Sequence, residues 1–407
     1  MLNLLSKNKN YCVFDIGMDK IACLLFQVEN KKSIIAGMDY QKSTGVNNNS
    51  VKDDAKLSET ISKALRNTIP RKLNIKNINF FCNITDTKLI TKKNYCSLDS
   101  NKFSLTKKDI RRIFKKSILD SKVKGKQLIH SYPLNFRIDE NRVVSDPVGE
   151  KCKKFGMSSF NIMVNQKYLN QLDRCFKGHR INIKSFFDTG IASSVANISK
   201  IEKKNGVACI DIGHSTSKLT VFINDNIVYC NVLPIGGFHV TNDIAKGLDV
   251  SLEFAEHTKL VHGTLAPPFD EKFTINSNQI KRKVISKNLL YGIMRPRYEE
   301  ILEIIRDYIF DDIYARVSIK SIVITGGASK VFGISNLSER IFNRKIRIGN
   351  ISDKKSFFYN KPEFSTLIGL MRLSQDEKSY KYTNELAKNN LFNTFDKLEN
   401  WIEESYA

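Results

Sequence analysis

Two stretches of this chain share one layout. The segment YCVFDIGMDKIACLLF (residues 11–26) runs as an apolar strand, Asp-Ile-Gly, a short polar turn and a second apolar strand, and GVACIDIGHSTSKLTVF (206–222) repeats it. Asp15 and Asp211 stand about 200 residues apart, far beyond the period of a solenoid repeat. A repeat on that scale calls for two similar lobes, each opening with a β-hairpin. A chain of 407 residues is also too large for one small core.

The turns carry the chemistry. A tight turn between strands can aim backbone N–H groups at an anion when its side chains are small. An Asp at the strand end repels phosphate, so its natural partner is a hydrated Mg²⁺, which neutralises phosphate and is held by carboxylates and water. One Asp-x-Gly turn is weak evidence, because such turns abound in hairpins. Two of them opening similar lobes point to a nucleoside triphosphate clamped from both sides, with Asp15 and Asp211 each offering a carboxylate to the metal. TGGASK (325–330) follows the apolar run SIVI and precedes a helical stretch. Gly326 and Gly327 would let backbone approach a flat adenine or ribose where a Cβ collides, although the string alone also reads as an ordinary strand–helix turn.

Between the hairpins, Leu57, Ile61, Ala64 and Leu65 have helical spacing, and a strand is expected at 78–84. The texture changes over 84–164, where short strands surround a helix opened by a capping box, Thr106-x-x-Asp109. This inserted α+β unit carries 18 Lys and Arg against eight Asp and Glu. Its basic run KKDIRRIFKK has a single aromatic, Phe114, on the apolar side, which fits a solvated face better than a nucleic-acid groove. The formal charge of +23 is spread along the chain, and no nucleic-acid partner is expected. A long helix is expected from PRYEEI (296–301), with Pro296 in its first turn. The eight cysteines contain no Cys-x-x-Cys pair and no zinc spacing, so reduced thiols in a cytosol are expected. No apolar run approaches about 18 residues, which leaves attachment to a membrane surface as the open route.

The order of motifs resembles the actin/Hsp70/sugar-kinase superfamily: a phosphate-1 hairpin, a phosphate-2 hairpin, then an adenosine Gly-Gly. Within it, LPIGGFHVTNDIAKGL (233–248), AEHTK (255–259), PRYEEI (296–301) and DPVG (146–149) look like the FtsA family of bacterial cell-division proteins. So does a terminal amphipathic stretch behind a polar one, and the Gly-Gly-x-His-x-Thr-x-Asp-Ile-Ala string is the specific part. The resemblance implies an α/β protein of the actin-like ATPase fold, two lobes flanking a nucleotide cleft, with a small α+β subdomain inserted. The implied division is 1–83, 165–204 and 351–373 for lobe 1 (subdomain 1A) and 84–164 for subdomain 1C. Lobe 2 takes 205–235 and 306–350 (2A) with 236–305 as 2B, before a linker at 374–390 and a terminal helix at 391–407.

By position the resemblance implies ATP and Mg²⁺, with Asp15, Gly17 and Lys20 in phosphate-1 and Asp211, Gly213, Ser215, Thr216 and Ser217 in phosphate-2. Gly236 and Gly237 form the following loop, Glu256 and Lys259 lie on the ribose side, and Gly326, Gly327 and Ala328 meet the adenosine. Asp15 and Asp211 would hold the metal through water. The chain departs from the family at Met18 and Asp19, where small hydroxyl residues are usual, and at His214-Ser215 in a turn usually rich in glycine. Lys218 replaces a common acidic residue, and Asp188-Thr189 stands where Glu-Pro is usual. These departures point to nucleotide binding as a structural switch with slow or absent hydrolysis, and no residue is assigned as catalytic.

The resemblance further implies a protein that tethers the tubulin-like FtsZ ring to the cytoplasmic face of the membrane at the division site and helps assemble the divisome. Self-association would run through the lobes and subdomain 1C. A basic surface in 2B would take the FtsZ C-terminal tail, with Lys281, Arg282, Lys283 and Arg297 as candidates. Leu391, Phe392, Phe395, Leu398, Trp401 and Ile402 fall on one helical face, a stripe suited to an anionic membrane surface. Asp396, Glu399, Glu403 and Glu404 make its polar side acidic. The alternative is an actin-like filament or pilus-assembly component without membrane tethering, which would share the fold and the nucleotide motifs.

Overall fold

The computed structural model describes residues 9–376 apart from 31, 48–49, 100–103, 270, 276–282, 312, 352–356 and 359. The first hairpin is β1 (Asn10–Ile16) and β2 (Lys20–Glu29), continued by β3 (Lys32–Lys42). A short pair, β4 (Val46–Asn47) and β5 (Ser50–Val51), leads to α1 (Asp54–Thr68) and β6 (Ile78–Ile84). Asp53 starts α1 by accepting the Lys56 N–H at 3.0 Å. The chain then leaves this lobe for β7 (Ile90–Asp99), α2 (Lys107–Asp120), β8 (Lys126–Ile138), β9 (Arg142–Val144) and β10 (Lys154–Asn165). It returns through α3 (Gln166–Lys177), β11 (Ile183–Asp188), α4 (Thr189–Asn197) and α5 (Lys200–Asn205).

The second lobe opens in the same way, with β12 (Val207–Ile212), β13 (Ser217–Ile223) and β14 (Asn226–Leu233). There follow α6 (Gly237–Leu248), α7 (Leu252–His262), β15 (Lys272–Ile275), β16 (Lys283–Ser286), α8 (Lys287–Phe310) and α9 (Ile313–Ser318). The lobe closes with β17 (Ser321–Thr325), α10 (Ile334–Phe342) and β18 (Lys345–Ile348), and α11 (Ser365–Gln375) crosses back onto β1 and α4.

The two large sheets have the same order, β3-β2-β1-β6-β11 and β14-β13-β12-β17-β18. In each, the hairpin strands pair antiparallel and the last two strands join parallel. The duplication legible at Asp15 and Asp211 is therefore a duplication of whole sheets. Register agrees as well: Ile16 faces Ile21 in the first hairpin and Ile212 faces Ser217 in the second. The hairpin strands read as continuous apolar runs because both of their faces are covered, β2 by α1 and β1 by α11 on the first lobe. One core gathers Phe14, Phe81 and Phe187, and another Ile210, Val221 and Tyr298.

The inserted unit is an antiparallel sheet, β7-β10-β8-β9, with α2 packed over β7 and β10 and a third, smaller core around Ile113, Phe114 and Phe155. Its helix starts with the expected capping box: Asp109 accepts the Thr106 N–H at 2.9 Å and Thr106 Oγ1 accepts the Asp109 N–H at 3.4 Å. Phe114 is buried, while Arg111, Arg112 and Lys116 face solvent. All eight cysteines are free and buried.

Two expectations shift. Pro296 lies inside α8, not in its first turn, because Ser286 caps the helix far upstream by accepting the Asn288 N–H at 3.2 Å. The bond that Pro296 cannot make falls on the exposed Gly292, whose carbonyl water can satisfy. The ordered lobe also outlasts its expected end at 373: Ser374 is fully buried and Gln375 donates to Ser33 Oγ at 2.8 Å. The rest of the expected linker and the terminal helix, residues 377–407, lie outside the described residues. So do Leu391, Phe392, Phe395, Leu398, Trp401 and Ile402 of the apolar stripe. Among the described residues no helix is long and apolar enough to cross a membrane.

Candidate functional site

The two hairpin turns close with the same bond. Gly17 N–H donates to Lys20 O at 3.0 Å, and Gly213 N–H donates to Thr216 O at 2.9 Å. The closure spends the very glycine N–H groups that a sequence reading would offer to an anion. Ser217 turns inward as well, its hydroxyl donating to Ile235 O at 2.8 Å, and Ser215 and Thr216 are buried in the same turn. Gly236 and Gly237 brace this second turn. Gly237 N–H donates to Gly213 O at 2.9 Å, Phe238 N–H to His214 O at 2.6 Å, and a Cβ on Gly236 would stand 2.7 Å from Gly213 O. The start of α6 thus locks the second turn in place.

Around the turns, carboxylates converge. Asp15 Oδ1 accepts Asn83 Nδ2 at 2.8 Å, and Asn83 Oδ1 in turn accepts the Ile16 N–H at 2.6 Å. Burial pushes the Asp15 carboxyl up to about 6; the charges of Lys20 and Lys218 pull the other way, and Asp211 adds to the rise. The Lys20 ammonium lies 4.2 Å from the centre of the Phe364 ring. Burial lowers its pKa, with Asp15 and Glu363 opposing. Asp211 Oδ2 is 3.8 Å from Lys218 Nζ, and both side chains are almost wholly buried. A third carboxylate, Asp188, starts α4 by accepting the Ile191 N–H at 2.9 Å, while its Oδ2 is buried with no protein partner. Burial pushes Asp188 up to about 6 against the Ile191 amide and the Lys218 charge.

Whether this set suits a divalent cation can be tested on its chemistry. The described residues form no group of three or more His, Cys, Asp or Glu that could cage a metal. A hydrated Mg²⁺ needs no cage when phosphates complete its shell. Asp15 fits a water-mediated role through its second carboxylate oxygen. Asp211 fits poorly, because the Lys218 ammonium already stands against it.

Beside the second turn, Lys259 Nζ donates to Glu256 Oε2 and Thr241 Oγ1, both at 2.7 Å, and to Gly237 O at 3.1 Å. Burial lowers the Lys259 pKa, with Glu256 opposing. For Glu256 burial pushes up, but the bonds from Lys259 and Thr241 outweigh it and hold the carboxyl below its usual range. The glycines after β17 differ from each other. Gly326 has φ +92°, and a Cβ there would lie 2.3 Å from Asp211 Oδ1 and 2.4 Å from Ile212 O. Its smallness serves the protein's own packing, where the sequence suggested room for a ligand. Gly327 would meet only Glu363 Cβ at 3.6 Å, an ordinary contact, and Ala328 O accepts the Tyr298 hydroxyl at 3.0 Å.

Among the peptide-site candidates, Arg297 is already engaged. It donates to Asp243 at 2.7 and 3.2 Å and pairs with Glu300 on its own helix. Lys281, Arg282 and the side chain of Lys283 lie outside the described residues.

Two residues, Asn83 and His130, went unread in the sequence, and Thr189 stood out only as a departure from the family. Asn83 ties β6 to Asp15, a role hinted at only by one polar residue inside the apolar run FFCNI. Thr189 Oγ1 bonds Thr85 Oγ1 at 2.7 Å and donates to Ile84 O at 3.0 Å. His130, from β8 of the inserted unit, is fully buried and stacks against Tyr132 and Phe187, each at 5.5 Å. The strand that carries it touches both β11 and β14, so the inserted unit meets both lobes.

A family model described as "Cell division protein FtsA" matches residues 208–369, and one described as the SHS2 domain inserted in FtsA matches residues 85–163. The cell division protein FtsA of Agrobacterium fabrum is 27% identical over 384 residues, covering 88% of this chain and 85% of that protein. FtsA of Buchnera aphidicola from Schizaphis graminum is 25% identical over 426 residues, covering 99% of this chain and 100% of its own. Among solved structures, a type IV pilus biogenesis complex of PilM and PilN superposes with a TM-score of 0.64 at 15% identity, covering 89% of this chain and 98% of that one. MreB5 of Spiroplasma citri bound to AMPPNP superposes at 0.57 and 12% identity, covering 91% and 97%. At such identities these two speak for the fold alone. The matched domains, the relatives spanning nearly its whole length and the duplicated sheets agree: the chain belongs to the FtsA family of cell-division proteins, with an actin-like fold and an inserted SHS2 domain.

Proposed function

We propose that this chain binds ATP between its two lobes and uses the bound nucleotide as a structural switch for self-association, while tethering the FtsZ ring to the cytoplasmic face of the membrane at the division site. The observation that carries the nucleotide reading is the pair of hairpins with matching register and turn closure, each bringing one aspartate to the cleft. Lys20 and Lys218 supply positive charge beside those aspartates, and Lys259, paired with Glu256 on α7, bonds the start of α6 beside the second turn. Mg²⁺ is the expected counter-ion, met through water by Asp15, where it would offset phosphate charge. Hydrolysis is slow or absent, because Met18, Asp19 and His214 crowd turns that a working phosphate site leaves small. Turnover near about 10 s⁻¹, typical of a working enzyme, would contradict this.

Membrane attachment rests on the stripe from Leu391 to Ile402, and capture of the FtsZ C-terminal tail on the basic run at 281–283. Weak anchors suffice for a protein that self-associates, since avidity multiplies small affinities. The test is co-sedimentation with anionic vesicles, with and without ATP, comparing the full chain with one ending at Asp376. Sedimentation of the full chain alone, strengthened by ATP, is expected. Equal behaviour of the two chains removes the tether from the reading.

A further inference from the structure

The two hairpins are alike in order, register and turn closure, yet the residue paired with the aspartate differs between them. In the first, the residue directly opposite the aspartate is Ala22; in the second it is Lys218. Directly opposed residues of an antiparallel pair point to the same face of the sheet. Lys218 therefore shares a face with Asp211, and its Nζ stands 3.8 Å from Asp211 Oδ2.

The ammonium is held there. Only 9% of the Lys218 side chain is exposed, an unusual burial for a lysine and one that requires partnered charge. A Cβ on Gly213 would come within 2.8 Å of Nζ, which places the ammonium against the turn backbone. A Cβ on Gly190, at the start of α4, would come within 3.0 Å of the Lys218 Cβ, so the base of the stem is confined too. The same positive charge acts on Asp15 and Asp188. One fixed cation thus serves the aspartates of both lobes.

A metal and this ammonium compete for the same carboxylates. A divalent ion entering beside Asp211 meets a like charge at a distance where repulsion in a partly buried site is substantial, whereas an incoming phosphate meets attraction. Resting on the reading of the cleft as a nucleotide site, we propose that Lys218 is a built-in counter-cation that takes over part of the role of Mg²⁺, so that this chain binds a nucleoside triphosphate with little dependence on divalent metal. Asp211 then serves to hold Lys218 in place, and the lobes close on nucleotide and ammonium together.

Calorimetric titration of the full chain with AMPPNP, in millimolar Mg²⁺ and in EDTA, tests this. The wild-type affinity should agree within about threefold between the two buffers. Lys218→Met keeps the stem but uncovers the Asp211 charge, so its affinity should be about thirtyfold or more lower in EDTA than in Mg²⁺. Lys218→Arg keeps the charge and should keep binding in EDTA. A wild-type loss of about a hundredfold in EDTA overturns the inference, as does an equal loss for Lys218→Met in both buffers. Absence of binding in either buffer by natively folded wild type overturns the nucleotide reading itself, a separate result. If circular dichroism shows Lys218→Met misfolded, the wild-type comparison and Lys218→Arg still decide.

Discussion

His130, on a strand of the inserted unit, accepts the backbone N–H of Asp188 through Nε2 at 3.0 Å. A residue from outside the two lobes therefore completes the start of α4 at Asp188. Its other ring nitrogen, Nδ1, is buried without a protein partner, and burial holds the ring neutral by lowering its pKa from 6.5 to about 3.

That neutrality has a pH signature. Between 6.5 and about 3 the unfolded histidine binds a proton that the folded one refuses, so its contribution to stability falls as pH drops through that window. Asp15 and Asp188 act oppositely: raised from 3.8 to about 6, they cost stability at neutral pH and relieve it as pH falls through that interval. His130→Gln retains an acceptor and cannot titrate. Relative to wild type it should gain about 2 kcal/mol on going from pH 7 to 5, read by urea denaturation at both. Identical pH dependence in the two proteins would show that His130 is not buried neutral.

The two glycines after β17 should separate cleanly. Gly326→Ala forces a Cβ against Asp211 and the Ile212 carbonyl from a left-handed backbone, and should cost about 2–4 kcal/mol without any nucleotide present. Gly327→Ala, with 3.6 Å of clearance, should melt within about 1 kcal/mol of wild type. Any larger effect of Gly327→Ala should surface only as weaker AMPPNP binding. Equal thermal destabilisation of both variants would contradict this geometry.

Arg297 and the run at 281–283 should behave differently toward an FtsZ C-terminal peptide. Reversing Lys281, Arg282 and Lys283 together should weaken the peptide, more steeply at low salt. Arg297→Gln breaks the pairs with Asp243 and Glu300 and should cost about 1 kcal/mol of stability, with peptide affinity unchanged. Weaker peptide binding by Arg297→Gln at an unchanged melting temperature would return that residue to the docking surface.

What the sequence displays and what it hides follow from different physics. The hairpins were legible because Asp-Ile-Gly between two uninterrupted apolar strands is a local pattern, and it occurs twice. The α2 start was legible because Thr106 and Asp109 satisfy each other within one turn. Pro296 misled, since it reads as a first-turn proline while the apolar period already runs from Leu290 through Met294 to Tyr298 behind the Ser286 cap. Asn83, His130 and the bond that Thr189 makes were invisible for another reason. Their partners, Asp15, Thr85 and the Asp188 amide, are non-local, and no spacing within one segment encodes them. Gly326 was legible as a required glycine, but its cause, the Asp211 carboxylate, comes from a strand far away in the chain.

The terminal stripe should bind membrane through apolar burial, because its polar face is acidic. Each large side chain offers about 1.5–3 kcal/mol, part of it consumed in ordering the helix. Trp401→Glu should release the full chain from anionic vesicles, and Glu403→Lys with Glu404→Lys should tighten it, by about 1 kcal/mol per charge. Absence of vesicle binding at every lipid composition, together with a lower melting temperature for Trp401→Glu, would mean that the stripe docks on protein.

The inserted unit is wired into its host at more than its two crossing points. Asp86 accepts the Asn165 N–H at 2.6 Å and joins the outgoing and returning strands at the neck, while His130 reaches past it to the Asp188 amide and covers Phe187. Cutting out residues 85–163 would leave that amide without its acceptor and expose an aromatic ring of the first lobe's core. A strain carrying such a deletion is thus a double lesion. On the proposed reading its phenotype combines loss of the inserted unit's own surface with damage beside Asp188, and the single exchange His130→Leu, which removes the acceptor and leaves that surface intact, tells the geneticist which of the two was scored.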